Sequence, residues 1–205
     1  LQAALDWATP GLVKLRLNAL PGADTRTWGG GAGDGNPLNI ANWYAGGVLA
    51  NGSLRPGVDQ VVFGDFPYAG GSLVVSSTLL LSGSFAPASI AFAAGSVRYT
   101  VSGSGSISGA TGIVVDGQAQ VTLSTTNDFT GEVLLNGGTL WVTNGSALGG
   151  SGAGTTVRPG ATLALSNSIS VGGEALTLSG MGSAGNAGAL VSASGFNTFG
   201  GPVTL

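Results

Sequence analysis

Short apolar segments separated by Gly, Ser, Asn and Asp turns fill the chain from about Gly71 to its end. Apolar and small polar positions alternate in many of these segments, as they do in strands with one buried face. No helical periodicity interrupts the pattern. It predicts an all-β fold with strands at 73–75, 79–81, 89–92, 98–101, 113–115, 121–123, 133–135, 139–142, 155–157, 162–165, 169–171, 176–178, 189–191 and 203–205.

Equivalent strands recur at uneven intervals of about 20 to 23 residues along the repeat region. The strand that begins at Val133 recurs at Thr155 and again at Leu176, and the strand that begins at Thr139 recurs at Thr162. Intervals of this length are typical of a solenoid in which each coil stacks on the one before. The pattern therefore predicts a parallel β-helix of roughly six coils, which rises about 30 Å at a strand spacing near 4.8 Å.

Strand alternation separates core positions from outward positions. Six side chains are predicted to lie in the core: Leu135, Leu140, Val142, Leu163, Leu165 and Leu178. Trp141 alternates with Leu140 and Val142, which places its indole on the outer surface as a candidate contact site. Gly137-Gly138 and Pro159-Gly160 fall where a coil must turn a corner.

A longer repeat relates residues 127–135 to residues 197–205. The two segments share Asn, Phe, Gly, Val and Leu in register, so the given sequence ends one strand into a second unit. An open solenoid end exposes core and unpaired backbone. We therefore expect that the polypeptide continues beyond residue 205, or that another subunit completes this end.

The part of the chain before Gly71 divides into two segments. Residues 1–26 contain an alternating strand at 12–17 and a short amphipathic stretch at 2–7 that also suits a helix. They are interpreted as a strand or linker, or as the tail of a preceding domain. Residues 27–70 hold a glycine loop, two tryptophans and a strand, and are interpreted as a Trp/Gly-rich N-terminal module. Residues 71–205 are the β-helix repeats.

Composition removes most catalytic chemistries. The 205 residues include neither His nor Cys, which excludes Ser-His and Cys-His catalysis, disulfides, Cys/His zinc sites and His- or Cys-ligated haem. The net charge is −3 and the six cations are scattered, which argues against a nucleic-acid partner. No apolar run is long enough to span a membrane. The sequence thus predicts no catalytic, cofactor-binding or metal-binding residue, and no cofactor.

Oxygen-rich loops nevertheless leave two alternatives open. The glycine loop at 29–35 lacks the Gly-Lys-Ser/Thr ending of a phosphate-binding loop. Asp34, Asn36 and Asn39 offer oxygen ligands for calcium, against the simpler interpretation of a turn-rich loop.

Glycoside hydrolysis would need a pair of facing carboxylates. The candidates for such a pair are Asp59, Asp65, Asp116, Asp128 and Glu132.

Four aromatic residues are candidates either for ligand contact or for packing: Trp28, Trp43, Tyr44 and Trp141. The first three, together with Phe63, suit a platform on which sugar rings stack. They also suit closure of the mouth of a β-helix, because large rings bury much area. Packing is the simpler interpretation for this N-terminal group.

The repeat region carries four motifs in order. They are 127–131 (Asn-x-Phe-Thr-Gly), 135–140 (Leu-Asn-Gly-Gly-Thr-Leu), 147–149 (Ala-Leu-Gly) and 159–165 (Pro-Gly-Ala-Thr-Leu-x-Leu). Together they resemble the autotransporter-associated β-strand repeat of bacterial autotransporter passengers. Upstream, 27–31 (Thr-Trp-Gly-Gly-Gly), 41–43 (Ala-Asn-Trp) and 59–63 (Asp-x-Val-Val-Phe) resemble the module that often precedes such repeats. The resemblance covers roughly residues 27–205 and implies a right-handed parallel β-helix, exported across the bacterial envelope, with no shared enzymatic activity or catalytic residues.

These observations predict a non-enzymatic structural or adhesive segment of a long secreted or cell-surface bacterial repeat protein, extracellular and associated with the outer membrane. Its expected partners are adjacent repeats, and surface glycans or other proteins. One alternative is a self-assembling extracellular fibre subunit, in which strand 203–205 of one copy is continued head-to-tail by strand 12–17 of another. A carbohydrate-binding module is the other alternative.

Overall fold

The computed structural model describes residues 2–9, 12–18, 24–46, 48–50, 52–67, 70–74 and 77–205. A single 3-10 turn at Ile40–Asn42 accompanies 22 strands in these residues. The strands, numbered in chain order, are β1 (Gln2–Thr9), β2 (Leu12–Asn18), β3 (Thr25–Trp28), β4 (Trp43–Ala45), β5 (Val48–Leu49), β6 (Gln60–Gly64), β7 (Thr78–Leu81), β8 (Ser84–Phe85), β9 (Ser89–Ala93), β10 (Arg98–Gly103), β11 (Ser106–Ile107), β12 (Gly112–Val115), β13 (Gln120–Leu123), β14 (Val133–Leu135), β15 (Gly138–Val142), β16 (Thr155–Val157), β17 (Ala161–Ser166), β18 (Ser170–Val171), β19 (Leu176–Leu178), β20 (Leu190–Ser194), β21 (Thr198–Phe199) and β22 (Val203–Thr204).

The strands from β3 onward, apart from the antiparallel β4 and β5, build a right-handed parallel β-helix of about six turns. One side is a ten-stranded sheet in the order β22-β19-β16-β14-β12-β9-β6-β3-β4-β5. A second side is a six-stranded sheet in the order β20-β17-β15-β13-β10-β7. A narrow third face contains the parallel pairs β8–β11 and β18–β21. The predicted parallel β-helix is confirmed.

The register between coils follows the spacing of the sequence. Val133 pairs with Thr155 and Thr155 pairs with Leu176 in the ten-stranded sheet. Thr139 pairs with Thr162 in the six-stranded sheet. The coil period predicted from these residues is therefore confirmed. Register is strict because a slip by a single position would turn every apolar side chain to the solvent.

The core is a stack of inward apolar side chains. Of the six predicted core residues, five are buried and Leu178 is partly buried against the core: Leu135, Leu140, Val142, Leu163, Leu165 and Leu178. Adjacent positions on the same strands point outward, as Leu134 does beside Leu135 in β14. Each coil is too thin to bury an apolar face alone, so its neighbours on both sides complete its core.

Thirteen of the fourteen predicted segments overlap observed strands. The exception is 73–75, where Leu73 and Val74 are not in a strand and residue 75 lies outside the described residues. The helical alternative for 2–7 is wrong, because β1 covers these residues and pairs antiparallel with β2 in a sheet of its own. Strands β8, β11 and β21 were not predicted, since such short strands cannot show alternation.

The N-terminal module covers the first coil. Strand β3 pairs with β6 in parallel on one edge and with β4 antiparallel on the other, which ends the parallel stack. The glycine loop covers the matching edge of the six-stranded sheet, where the Leu80 N–H donates to the Gly35 carbonyl at 2.8 Å. Gly35 has a φ of +65°, and a Cβ there would lie 2.5 Å from the Thr78 carbonyl oxygen. The predicted boundary between residues 26 and 27 falls inside β3.

The longer repeat has the same structural role in both copies. Asn127 Oδ1 accepts from the Ile107 N–H at 2.9 Å, and Asn197 Oδ1 accepts from the Ile169 N–H at 3.0 Å. Each asparagine thus links its own coil to the third face of the preceding coil. The matching glycines, Gly131 and Gly201, are each pressed against the backbone of the coil before them.

We expect Gly131→Ala to destabilise the fold. A Cβ at Gly131 would lie 2.4 Å from the Thr111 carbonyl oxygen, so the backbone must shift at a cost of about 1–3 kcal/mol. Gly152→Ala is the matched control, because a Cβ there meets nothing within 4 Å. Urea denaturation followed by circular dichroism measures both variants. Equal midpoints for the two would contradict the proposed close approach of the coils.

Neighbouring leucines in β14 test the assignment of the two faces. Leu135 is fully buried, so Leu135→Asp places a carboxylate among apolar side chains and should cost several kcal/mol. Leu134→Asp puts the same group on the outer surface, where we expect a change of about 0.5 kcal/mol or less. Thermal unfolding compares the two proteins. If Leu135→Asp unfolded at the same temperature as the unsubstituted protein, the assignment of Leu135 to the interior would be wrong.

Candidate binding groove beside Trp141

Two of the four predicted aromatic residues belong to the core. Trp28 and Trp43 are 0% and 2% exposed, and their ring centroids lie 5.1 Å apart in an edge-to-face arrangement. Phe63 completes the group, at 5.7 Å from Trp28 and 5.5 Å from Trp43. The Trp43 indole N–H donates to the Pro37 carbonyl at 2.8 Å. These rings have no face available for a sugar, so they pack the mouth of the β-helix.

Further rings extend this cluster into the next coils. The aromatic plug, as we define it, comprises Trp28, Trp43, Phe63, Phe85, Phe92 and Tyr99. The Tyr99 hydroxyl donates to the Gly64 carbonyl at 2.6 Å, and burial raises the pKa of Tyr99. Tyr44 is partly buried outside the plug, with its ring against Gly29. Trp141 lies on the six-stranded sheet in a later coil, apart from the other three predicted aromatics.

The carboxylates of the N-terminal module serve structure. Asp59 is buried and accepts from Arg55 Nε at 2.9 Å, while Arg26 lies 3.6 Å away. Burial raises the pKa of Asp59, but the Arg55 hydrogen bonds outweigh it and leave the pKa below its usual value. Asp34 accepts from the Asn39 side chain, the Asn36 backbone and the Asn42 side chain, which lower its pKa.

Asp65 holds a loop of the next coil. Its oxygens accept from the backbone N–H groups of Gly95, Ser96 and Val97 at 2.7 to 2.9 Å. Burial raises the pKa of Asp65, but these three donors outweigh it, so the pKa lies below the usual value. Asp59 and Asp65 therefore each bind their own surroundings and do not face one another as a catalytic pair.

The loop proposed as a calcium ligand set is tied to itself. Asn36 Oδ1 accepts from the Leu38 N–H and Asn39 Oδ1 accepts from the Ala41 N–H, so both amide oxygens support turns. Among the residues that the structure describes, no group of three or more acidic side chains gathers where a metal ion would sit. The three side chains that the sequence had suggested as calcium ligands, Asp34, Asn36 and Asn39, thus all accept hydrogen bonds within the loop.

Trp141 projects from the outer face of the six-stranded sheet, as alternation predicts. It is partly buried, between the buried Leu140 and Val142 of β15. The register places Thr122 on one side of it and Ala164 on the other, and Thr100 lies beyond Thr122. Trp141 is thus a large ring in a row of small side chains on this face.

A second row runs parallel to the first and ends under a loop. Arg98, Gln120, Thr139 and Thr162 are paired in sequence across four strands. The hydroxyl of Thr162 donates to the Gly188 carbonyl at 2.9 Å, and Thr139 and Thr162 both bond to a serine of the same loop. The 179–189 loop therefore lies across the sheet beside Trp141.

This loop arises from the length of one coil. Leu140 pairs with Leu163, and Leu163 pairs with Leu190, so the second of these coils contains more residues than the first. The additional residues do not enter the stacked core, because β20 pairs with β17 in parallel from Leu163 to Leu165, before a register shift between Leu165 and Ser166. They fold instead onto the outer surface, where Ser183 and Asn186 replace solvent as partners of Thr139.

Together the two rows and the loop form a shallow groove. One part, of about 380 Å³, surrounds Trp141 and is lined by residues that include Arg98, Thr100, Thr122 and Ser166. A second part, of about 300 Å³, lies beside the 179–189 loop and shares Gln120 with the first. We call this the Trp141 groove. Its surface combines one indole and one guanidinium with hydroxyl and amide groups, which suits binding of a polar molecule.

Comparison with protein-family models, with curated proteins and with solved structures found no match to this chain. The described residues form no helix long and apolar enough to cross a membrane.

The Asp65 contacts predict a pH-dependent stability. Because the folded-state pKa is lowered, the Asp65 contribution is present above the ordinary pKa near 3.8 and is lost as the pH falls through the lower folded-state value. Asp65→Asn should therefore lower stability at pH 7 by on the order of 1–3 kcal/mol, and the difference should shrink below about pH 4. Urea midpoints at both pH values measure it, with exposed Asp128→Asn as the control. A pH-independent difference would contradict this account.

Proposed function

We propose that this chain is a non-enzymatic structural and adhesive segment of a secreted or cell-surface bacterial repeat protein of the autotransporter passenger type. The observation that carries the proposal is the unbroken stack of parallel coils, whose core is mainly apolar and includes a few buried polar side chains such as the hydrogen-bonded Thr155 and Glu174. Such a stack is rigid and extends by repetition, which suits a spacer that holds a binding surface away from a cell.

The polar groups support a role without catalysis. Two of the five carboxylate candidates, Asp59 and Asp65, are occupied by arginine and by backbone donors. The outer face of the six-stranded sheet carries hydroxyl and amide groups such as those of Thr100, Gln120 and Thr122, while an outward row of the ten-stranded sheet carries Val62, Ala91, Val114 and Leu134. Only 7% of all residues are charged. Few charges leave little for acid–base chemistry, while a neutral surface suits contact with neighbouring repeats, other proteins or glycans.

A rod segment is favoured over a head-to-tail fibre subunit by the N-terminal end. A fibre would need the first coil to offer a free parallel edge to the last coil of another copy. The antiparallel partner β4 occupies that edge of β3, and β5 follows it. The sequence prediction had assigned the joining strand to 12–17, but in this structure β2 pairs with β1.

Surface labelling of the source bacterium tests the proposal. Antibodies raised against the solenoid should label intact cells or the culture medium, and brief protease treatment of intact cells should remove the label. A cytoplasmic protein, labelled only after permeabilisation, serves as the control. Labelling of the solenoid that also required permeabilised cells would overturn the assignment to the cell exterior.

A further inference from the structure

We propose that the Trp141 groove binds a neutral oligosaccharide, with a pyranose ring stacked on the Trp141 indole. The inference rests on the adhesive part of the proposed function and names the chemistry of its partner. Four features of the groove support the inference. They are the position of the tryptophan, the polar groups beside it, the charge of the lining residues and the hydrogen bonding of the strands beneath the groove.

Trp141 lies at an outward position of this sheet and is not part of the stacked core. Its neighbours in the same row are the partly buried Thr122 and the fully buried Ala164. Six large aromatic side chains of the N-terminal half are instead buried in the plug, while Tyr44 and Phe66 lie outside it. A large ring left partly exposed on a flat polar face is typical of a contact site.

The groups around the ring match a sugar. A pyranose has an apolar face of C–H groups, which packs on an aromatic ring, and an edge of hydroxyls, which donate and accept hydrogen bonds. Thr100, Thr122 and Gln120 present hydroxyl and amide groups along the same face. Strands are spaced at about 4.8 Å, so the two steps from Trp141 to Thr100 give room for more than one sugar ring.

The charge of the lining favours a neutral ligand. Arg98 is the one charged side chain among the described residues that line the groove, and it is exposed at the end of its row. A single exposed cation gives weak attraction to an acidic polymer, because solvent and salt screen it. The same guanidinium can donate hydrogen bonds to sugar hydroxyls without requiring a negative charge.

The backbone beneath the groove argues against a peptide. An extended peptide binds to a sheet by adding to an edge, where N–H and C=O groups are unpaired. Strands β13 and β15 are interior to the six-stranded sheet and are bonded on both sides. A peptide would therefore find no main-chain partners on this face, whereas a sugar needs only side chains.

Titration of the purified chain with neutral hexasaccharides tests the proposal. The probes are cello-, xylo-, manno-, malto- and chito-hexaose, each at millimolar concentration. NMR follows the Trp141 indole N–H, which is assigned by its loss in Trp141→Phe. We expect one or more of these sugars to shift this signal. Trp141→Ala should weaken binding about tenfold or more, the equivalent of at least ~1.4 kcal/mol, while Trp141→Phe retains part of the affinity.

Matched variants distinguish the groove from the rest of the surface. Gln120→Ala should weaken binding by a smaller factor than Trp141→Ala. Leu134→Ala, an outward change on the ten-stranded sheet, should leave it unchanged. Circular dichroism of each variant checks that the fold is intact.

Three outcomes would overturn the proposal: no sugar shifts the Trp141 signal, binding occurs but survives Trp141→Ala, or only acidic saccharides bind. Self-association of the chain that Trp141→Ala abolishes would assign the groove to a second copy instead. Each of these results leaves surface labelling of the cells unaffected, so failure of the sugar site and failure of the proposed function can be told apart.

Discussion

Each coil of this protein depends on the coils beside it for both its hydrogen bonds and its core, and that mutual dependence determines the rest of the structure. Stacking at strand spacing brings backbone against backbone at the corners, where no side chain fits. A Cβ at Gly105 would lie 2.3 Å from the Gly83 carbonyl oxygen, and one at Gly137 would lie 2.3 Å from the Gly117 carbonyl oxygen. The abundance of glycine therefore reflects contact between coils as well as the conformational needs of turns.

The same dependence makes the first coil a special problem, because no coil precedes it. The N-terminal module covers the exposed backbone and core of the first coil in three ways. Antiparallel β4 pairs with the open edge of β3, the glycine loop accepts a hydrogen bond at the edge of β7, and the aromatic plug fills the mouth of the β-helix. Large rings suit this place since a few of them fill a wide interior and cover it against water. Farther along, branched aliphatic side chains dominate, with Phe129 as an aromatic exception.

The sequence predicts most of the solenoid because alternation and period act together. The pairing of Val133 with Thr155 follows from spacing alone, and the outward position of Trp141 follows from its alternation with Leu140 and Val142. Three of the four strands described on the third face, β8, β11 and β21, are too short to give such a signal, whereas β18 overlaps the predicted segment 169–171. The wall of the Trp141 groove could not be predicted either, because Ser183 reaches Thr139 only after successive coils have stacked and brought distant parts of the chain together.

Outward positions are where this fold can acquire function without losing stability. An inward change disturbs the cores of two neighbouring coils, and a corner change forces backbones apart, so both kinds of position are held to a few residue types. An outward residue meets its neighbours in the row and any loop that covers it, and an insertion between strands can fold over the surface while the strands beneath it stay paired. The 179–189 loop does this: β20 still pairs with β17 beneath it. A tryptophan on the outer row and a long turn beside it thus create a groove on a rod whose interior need not change.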